Sequence, residues 1–367
     1  MDYLIPLLLL TVLVSLGFVF PKSKIVHIIL VFMSFSLYAL SYDDYDRFVY
    51  INEYEKASTY MGSDYEILYV WIMSLCNKLG LTFQQFRYLT TIISLGGLEY
   101  AAIKLSPKIN QVWALYLIYS SCFDATLIRS SLSMGLIAIF IVQLINSKTI
   151  KDYLICSIWV IAASLIHSSS WVYCSFIPLW FYLKNRANKT KFFNLVLLIS
   201  GLAFVGSSII FSVYSNLVIR EFTLVKYTSA SAGTLGDILY NIIKYGLIIS
   251  PAVIFSRLGS FKIKDVQEFD KSILGLNFLF MIILIPQYYT SLFSRLFKIL
   301  VFFNYIYLTR HPWQHTKSYK KLLLIIFSIF YAVIMFYFHV YSSPQTISLV
   351  VDMHVKTNEI LNLSFFN

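Results

Sequence analysis

Charge is what this chain most lacks. Only 13% of its 367 residues are Asp, Glu, Lys or Arg, against 58% hydrophobic. Its mean hydropathy is +0.72. A soluble protein of this length cannot hide so much apolar surface, so a water-soluble globule is excluded. Cysteine is scarce as well. Cys76, Cys122, Cys156 and Cys174 sit in or beside apolar segments, and none forms a C-x-x-C pair. They read as packing thiols rather than as a disulfide framework or a metal site. No G-x-x-x-x-G-K-[ST] loop, G-x-G-x-x-G turn or H-E-x-x-H helix occurs. Nothing implies nucleotide binding or hydride chemistry, which argues against a nucleotide-sugar transferase and an ATP-driven transporter. The first apolar run, Tyr3–Phe20, has no basic n-region and no small-residue cleavage site, so it is expected to remain as a span. Internal repeats, low-complexity tracts and a soluble appendage are also missing, and residues 1–367 are expected to form a single membrane domain.

What the chain has is a series of long apolar stretches separated by short polar loops, from Tyr3 to Tyr341. At roughly 1.5 Å rise per residue, such stretches suit a hydrocarbon layer about 30 Å thick. In lipid, backbone groups must bond within their own segment, so the expected fold is all-α. The net charge of +11 would suggest nucleic acid as a partner for a soluble domain. Here the Lys and Arg concentrate in short loops between spans, the positive-inside pattern, so the charge sets topology and nucleic acid is not an expected partner.

Loop charge then orders the spans. Lys22 and Lys24 place Pro21–Lys24 in the cytoplasm. Ile25–Tyr42 leads outward to Asp43–Glu66, an acidic, Tyr-rich segment. Ile67–Leu79 is apolar but short. If it crossed, the most basic loops would face outward. If it does not, Lys104–Gln111, Lys148 and Lys151, Lys184–Lys191, Arg257–Lys271 and Arg310–Lys321 all fall on the cytoplasmic side. The expected architecture is therefore a polytopic bundle of about twelve spans, both ends outside, with Ile67–Leu79 as a re-entrant or interfacial helix on the outer face. Val112–Ile128, Ser130–Asn146, Tyr153–Leu165 and Trp171–Leu183 are four of those spans. Phe192–Tyr214 and Ile273–Tyr288 are two more.

The outward loops collect unusual polar residues at the membrane boundary. In Tyr42–Arg47, carboxylates such as Asp46 accept hydroxyl hydrogen bonds and tyrosine faces stack on pyranose rings, which suits sugar; the plain alternative is an acidic, topology-setting loop. Arg129 lies between two apolar runs at the outer end of two spans. It is either a snorkelling anchor or a phosphate ligand, since a guanidinium donates two parallel hydrogen bonds and stays charged. His167, in Ile166-His167-Ser168-Ser169-Ser170, sits at an outer turn between two spans. It is either a base for a sugar hydroxyl or a histidine satisfied at a helix end. Arg220, Lys226 and Arg295 are further outward cations with the same two readings. Glu99 lies inside a span near its cytoplasmic end, where snorkelling explains it. No metal site and no cofactor are indicated.

Taken in order, these pieces resemble the EpsG family of polysaccharide polymerases, relatives of the Wzy O-antigen polymerases. The elements are the acidic Tyr-rich loop Tyr42–Tyr50, then Asp64-Tyr65-Glu66-Ile67-Leu68 opening a short helix. Phe123…Ile128-Arg129-Ser130 precedes a span, Ile166-His167-Ser168-Ser169 follows about forty residues on, and Ser291-Leu292-Phe293-Ser294-Arg295 comes late. Asp64 stands where glycine is usual and Ser130 where glutamine is usual. The resemblance implies transfer of a growing glycan from undecaprenyl pyrophosphate to the next lipid-linked repeat unit, on the outer face of a bacterial cytoplasmic membrane. The product would be O-antigen, capsule or exopolysaccharide. Arg129, His167 and Arg295 would act catalytically; Asp46, Arg47, Tyr65, Glu66 and Arg220 would hold substrate. Implied partners are the lipid-linked oligosaccharide, membrane lipid, and a chain-length regulator and flippase of the same pathway. A flippase-like transporter of the lipid-linked unit and a membrane acyltransferase are the rival readings.

Overall fold

The computed structural model describes residues 4–41, 46–57, 65–185, 297–310 and 318–341, with scattered positions in 243–277 and 351–361. The described residues are helical and contain no strand; Ser41 and Asn358 form an isolated bridge. The chain divides into two compact units, Met1–Trp171 with Tyr305–Asn367, and Val172–Asn304.

The first unit holds α1 (Leu4–Val19), α2 (Lys24–Ala39), α3 (Arg47–Lys56), α4 (Ile67–Lys78), α5 (Phe83–Leu105), α6 (Ile109–Ile118), α7 (Ser121–Ala125), α8 (Ile128–Asn146) and α9 (Ile150–Ile166). Local chemistry sets several boundaries. Thr82 and Gln85 form a reciprocal capping box at the start of α5, and Thr149 and Asp152 do the same for α9. Gly80, at φ +75°, ends α4 in a Schellman turn: Leu81 N–H donates to Cys76 O and Gly80 N–H to Asn77 O.

The core pair is α5 and α8. They run parallel, because Gly97 meets Gly135 while Tyr100, further along, shares a cleft with Gln143 and Lys148. Neither glycine leaves room for a Cβ; one on Gly135 would fall 2.7 Å from Ser94 O. Close backbone approach of this kind is how helices associate where lipid removes the hydrophobic drive between them. From α8 the chain returns in α9, joined to it by Ser133, whose hydroxyl donates to Ala163 O.

Two ends of the first unit follow from these contacts. At one end, Asn110 Nδ2 donates to Phe20 O and Ser23 O, and Arg310 donates to Leu105 O. Lys22, Lys24, Lys104, Lys108, Lys148, Lys151 and Arg310 gather there. The other end holds the end of α2 and the starts of α5 and α8, tied by Gln84 to Ala39 O and by Arg87 to Ser41 O. Helix α4 starts at this end, at Glu66 beside Arg129, and finishes there too, at Leu79 just before α5 begins. Its 12 residues, about 18 Å of helix, run between two points at the same end rather than through the unit.

By length and apolar composition, two described helical segments suffice to cross a membrane: Ile128–Asn146, mostly buried, and Leu322–Tyr341, mostly not buried. The latter is α12 (Ser318–Phe336) and its closing π turn Tyr337–Tyr341. Apolar side chains are exposed along other helices as well, including Leu8 and Val12 on α1, Ile28 and Phe32 on α2, and Leu154 and Ile158 on α9. Such faces fit hydrocarbon and not water.

The continuous span expected at Val112–Ile128 is corrected: it is broken into α6 and α7. Tyr119 is extended and Ser120 has φ +88°, a left-handed conformation that a non-glycine residue adopts only under constraint. A buried polar chain flanks the break: Tyr38 meets the Tyr116 hydroxyl, which donates to Asp124 Oδ2 at 2.9 Å. Trp171–Leu183, expected as one span, begins instead as a 3₁₀ helix over Ser168–Ser175 and continues as α10 (Phe176–Asn185). The expected span at Phe192–Tyr214 lies outside the described residues, as does most of Ile273–Tyr288.

In the second unit, α11 (Phe297–Arg310) contributes its first half up to Asn304. Asn304 Nδ2 donates to Ile248 O at 2.7 Å and Asn277 Nδ2 donates to Asn304 Oδ1 at 2.9 Å. These amides satisfy one another inside an apolar surround, where an unpaired amide would be costly.

Candidate functional site

The site is assembled at the end of the first unit opposite the lysines. Glu66 is the extended residue that opens α4, so its carboxylate projects from the helix start. Arg129 sits in the first turn of α8 and donates through Nη1 to Glu66 Oε2 at 2.6 Å. The other carboxylate oxygen, Oε1, accepts the Ser168 backbone N–H at 2.7 Å. His167, extended at the end of α9, places Nδ1 3.7 Å from the same Oε1. That separation is a close contact rather than a hydrogen bond. Tyr65 completes the group: the Arg129 guanidinium lies over its ring, 4.4 Å from the centroid. Three residues from two stretches of sequence thus converge on the Glu66 carboxylate, and Tyr65 backs Arg129.

The electrostatics match this geometry. Burial pushes the Glu66 carboxyl up, but the His167 imidazole, the Arg129 guanidinium and the Ser168 N–H together outweigh it and hold it at about 2. Glu66 is therefore an anion at any working pH. Burial, reinforced by Tyr50, pushes the Tyr65 hydroxyl up despite Arg129, so the phenol stays protonated. Arg129 engages Glu66 through Nη1 and, among the described residues, keeps other N–H groups of its fork for a further acceptor. Its side chain is 17% exposed, enough to meet one.

Tyr65 also belongs to an aromatic wall. Tyr50 of α3 and Tyr69 of α4 flank it with ring centroids 5.8 and 5.7 Å away, and Phe86 of α5 packs on Tyr69. Such pairs stabilise by about 0.5–1.5 kcal/mol each beyond area burial. They fix α3, α4 and α5 around the carboxylate.

Asp46 stands just before α3, and its charge reaches Tyr65. Arg47 points elsewhere: it lies over Phe83 and reaches Ser41 O and Gln84 Oε1, each at 3.4 Å. Arg220, Arg295, Lys226 and the acidic stretch 42–45 lie outside the described residues. Glu66, expected to hold sugar, has both oxygens engaged by protein groups.

Glu99 corrects another expectation. It does not snorkel: Oε1 meets His27 Nε2 at 2.7 Å, and Oε2 accepts the Trp113 indole N–H at 2.7 Å. The carboxylate ties α2, α5 and α6 together near the lysine end. Two polar residues were passed over in the sequence. Arg87 is buried at the outset of α5 and donates to Ser41 O, and Asp124 is buried and accepts from the Tyr116 hydroxyl. Both signals were present in the sequence: an arginine near the start of an apolar run and a carboxylate inside one. Among the described residues, no group of three His, Cys, Asp or Glu is placed to hold a metal ion.

The EpsG family model matches residues 24–350. That stretch includes every element of the site. The chain belongs to the EpsG family. No curated protein and no solved structure matches it significantly. As an EpsG-family protein it is a membrane protein of polysaccharide biosynthesis, of the glycosyltransferase-like polymerase kind. The Tyr65–Glu66 pair, Arg129 and His167, which carried the resemblance in sequence, are the residues that meet in space.

Proposed function

We propose that this EpsG-family protein joins lipid-linked repeat units on the outer face of a bacterial cytoplasmic membrane, within a bundle of about twelve spans. One observation carries the reading: Arg129 and His167 share a single anchoring carboxylate, Glu66, at the end of the unit opposite the lysines. The positive-inside rule makes the lysine end cytoplasmic, so the site faces outward.

The reaction is a glycosyl transfer. A hydroxyl oxygen of the incoming repeat unit attacks the anomeric carbon of the growing glycan. The carbon–oxygen bond to undecaprenyl pyrophosphate breaks, and the pyrophosphate leaves with the electron pair. The hydroxyl proton passes to the His167 imidazole. Charge developing on the pyrophosphate is met by the free part of the Arg129 fork, held in place beforehand by Glu66 and Tyr65. Glu66 then aims Arg129 and the His167–Ser168 turn instead of touching sugar. Asp46 and Tyr65 remain on the sugar side, with Arg47 bracing the start of α3 against α5 and with Arg220 and Arg295 as further phosphate ligands. A chain-length regulator and a flippase of the same pathway would be its partners.

Purified protein in vesicles with an undecaprenyl-pyrophosphate-linked repeat unit tests the reading. A ladder of longer glycans supports it. Movement of the unit across the bilayer without elongation would make the protein a flippase, and acyl transfer to the sugar would make it an acyltransferase.

A further inference from the structure

Helix α4 has two faces of different character. Tyr69, Val70, Met73 and Cys76 are buried against the unit. Ile67, Trp71 and Leu75 form the opposite face at i, i+4 and i+8, with exposures of 68%, 53% and 42%, and Leu79 extends it at 69%. Helical geometry puts residues at this spacing in one stripe, about 12 Å long from Ile67 to Leu75 at roughly 1.5 Å per residue. Lipid-facing stripes on α1, α2 and α9 belong to helices that run the length of the unit. This one does not: both ends of α4 lie at the end that carries the site. The stripe also begins next to Glu66, the residue that holds Arg129. The apolar track of α4 thus starts beside the carboxylate that holds the cationic fork of α8.

We infer that the Ile67–Trp71–Leu75 face of α4 seats the polyprenyl chain of the lipid-linked donor, with the pyrophosphate at Arg129. This rests on the polymerase reading and adds the means by which the enzyme recognises the lipid. The occupant follows from charge and continuity. It must carry an anion at one end, matched to the Arg129 N–H groups left over from Glu66, and an apolar chain leading directly away from it. The carrier lipid has that construction, and it leaves the stripe free of the sugar, which is left to the partly exposed Tyr65 beside Arg129. Trp71, an indole with an apolar body and a polar edge, sits where headgroup gives way to chain.

The test compares two donors carrying the same glycan pyrophosphate, one on undecaprenol and one on a short, water-soluble prenyl chain. Elongation is measured for the wild type, for the Trp71→Ala/Leu75→Ser double variant, and for Ile158→Ser on the lipid-facing side of α9. The double variant is expected to raise KM for the long-chain donor about ten-fold relative to the short-chain donor, a modest loss for two apolar contacts. Ile158→Ser should leave that ratio at the wild-type value. Activity on the short-chain donor reports that the double variant is folded. If the double variant loses both donors equally, or if the ratio is unchanged, the stripe meets only bulk lipid and the inference is overturned. If a Trp71→Phe variant shifts the ratio as much as the double variant, an apolar track is also the wrong description. Failure of the wild type to elongate either donor would instead overturn the polymerase reading.

Discussion

Glu66 and Arg129, 63 residues apart in sequence, meet at 2.6 Å, and the bond joins the start of α4 to the start of α8. It leaves Arg129 with one N–H group spent on the protein and its ring-stacked face fixed by Tyr65. An arginine held in this way is pre-aimed, which is the condition for stabilising charge that appears only during reaction.

Arg129→Lys keeps the positive charge but loses the fork. A lysine cannot bond Glu66 and a pyrophosphate oxygen in one fixed plane, nor stack flat on Tyr65. We expect elongation to fall at least roughly ten-fold while the protein inserts and unfolds at close to the wild-type temperature. Initial rates and thermal unfolding in detergent check both halves. A lysine variant with normal elongation would reduce Arg129 to a generic charge.

Glu66 gives a pH dependence with a definite sign. Its carboxyl is held at about 2 in the fold, below the ordinary 4.5. A lowered carboxyl contributes stability that is present in full above pH 4.5 and is lost as pH falls from there towards 2. Glu66→Gln lacks this contribution. It should therefore unfold at a lower temperature than the wild type at pH 7, and the gap should narrow between pH 4.5 and 2. A gap that stays constant through that window would show that the charge of Glu66 does not stabilise the fold.

The α5–α8 contact can be probed without touching the site. A Cβ on Gly97 would run into the Gly135 carbonyl, whereas a Cβ on the adjacent Gly96 would meet nothing within 4 Å. Gly97→Ala should destabilise by about 1–3 kcal/mol, the usual range for overpacking. Gly96→Ala should be neutral or slightly stabilising, because alanine is the better helix former. Equal melting temperatures for the two variants would show that the helices do not approach this closely.

The site was legible in the sequence to the extent that its residues broke local rules. Arg129 and His167 interrupt apolar runs on the side where basic residues are rare, and Tyr65-Glu66 open a helix too short to cross. The expected spans Ser130–Asn146 and Tyr153–Leu165 fall within α8 and α9, because both helices follow unbroken apolar runs. What the sequence did not disclose depended on distant partners. Glu66 meets Ser168 from 102 residues away, so a carboxylate expected to hold sugar is engaged by the protein itself. Glu99 looked like a snorkelling anchor because His27 and Trp113 come from other helices. The break at Ser120 was invisible because hydropathy averages over it, and the Tyr38–Tyr116–Asp124 chain that flanks it includes a partner from a distant helix.

Loop charge together with the path of α4 predicts an outward-facing site. With the native cysteines replaced, a single cysteine at Lys78 and one at Lys148 should be labelled from opposite sides of the membrane by an impermeant maleimide, Lys78 from outside. Both positions are exposed. Labelling from the same side would mean that α4 crosses and that the two ends of the first unit are assigned wrongly.

The most direct test of the central claim is elongation by His167→Gln. Glutamine keeps a hydrogen-bonding group near Glu66 but cannot accept a proton as imidazole does. The measurement is the rate of glycan elongation on a defined undecaprenyl-pyrophosphate-linked repeat unit, with binding of the same unit followed in parallel. Binding should be close to that of the wild type, and elongation at least roughly a hundred-fold slower, the lower range for loss of a general base. Elongation by the glutamine variant at the wild-type rate at neutral pH would contradict the account, leaving His167 as the end of α9 and nothing more.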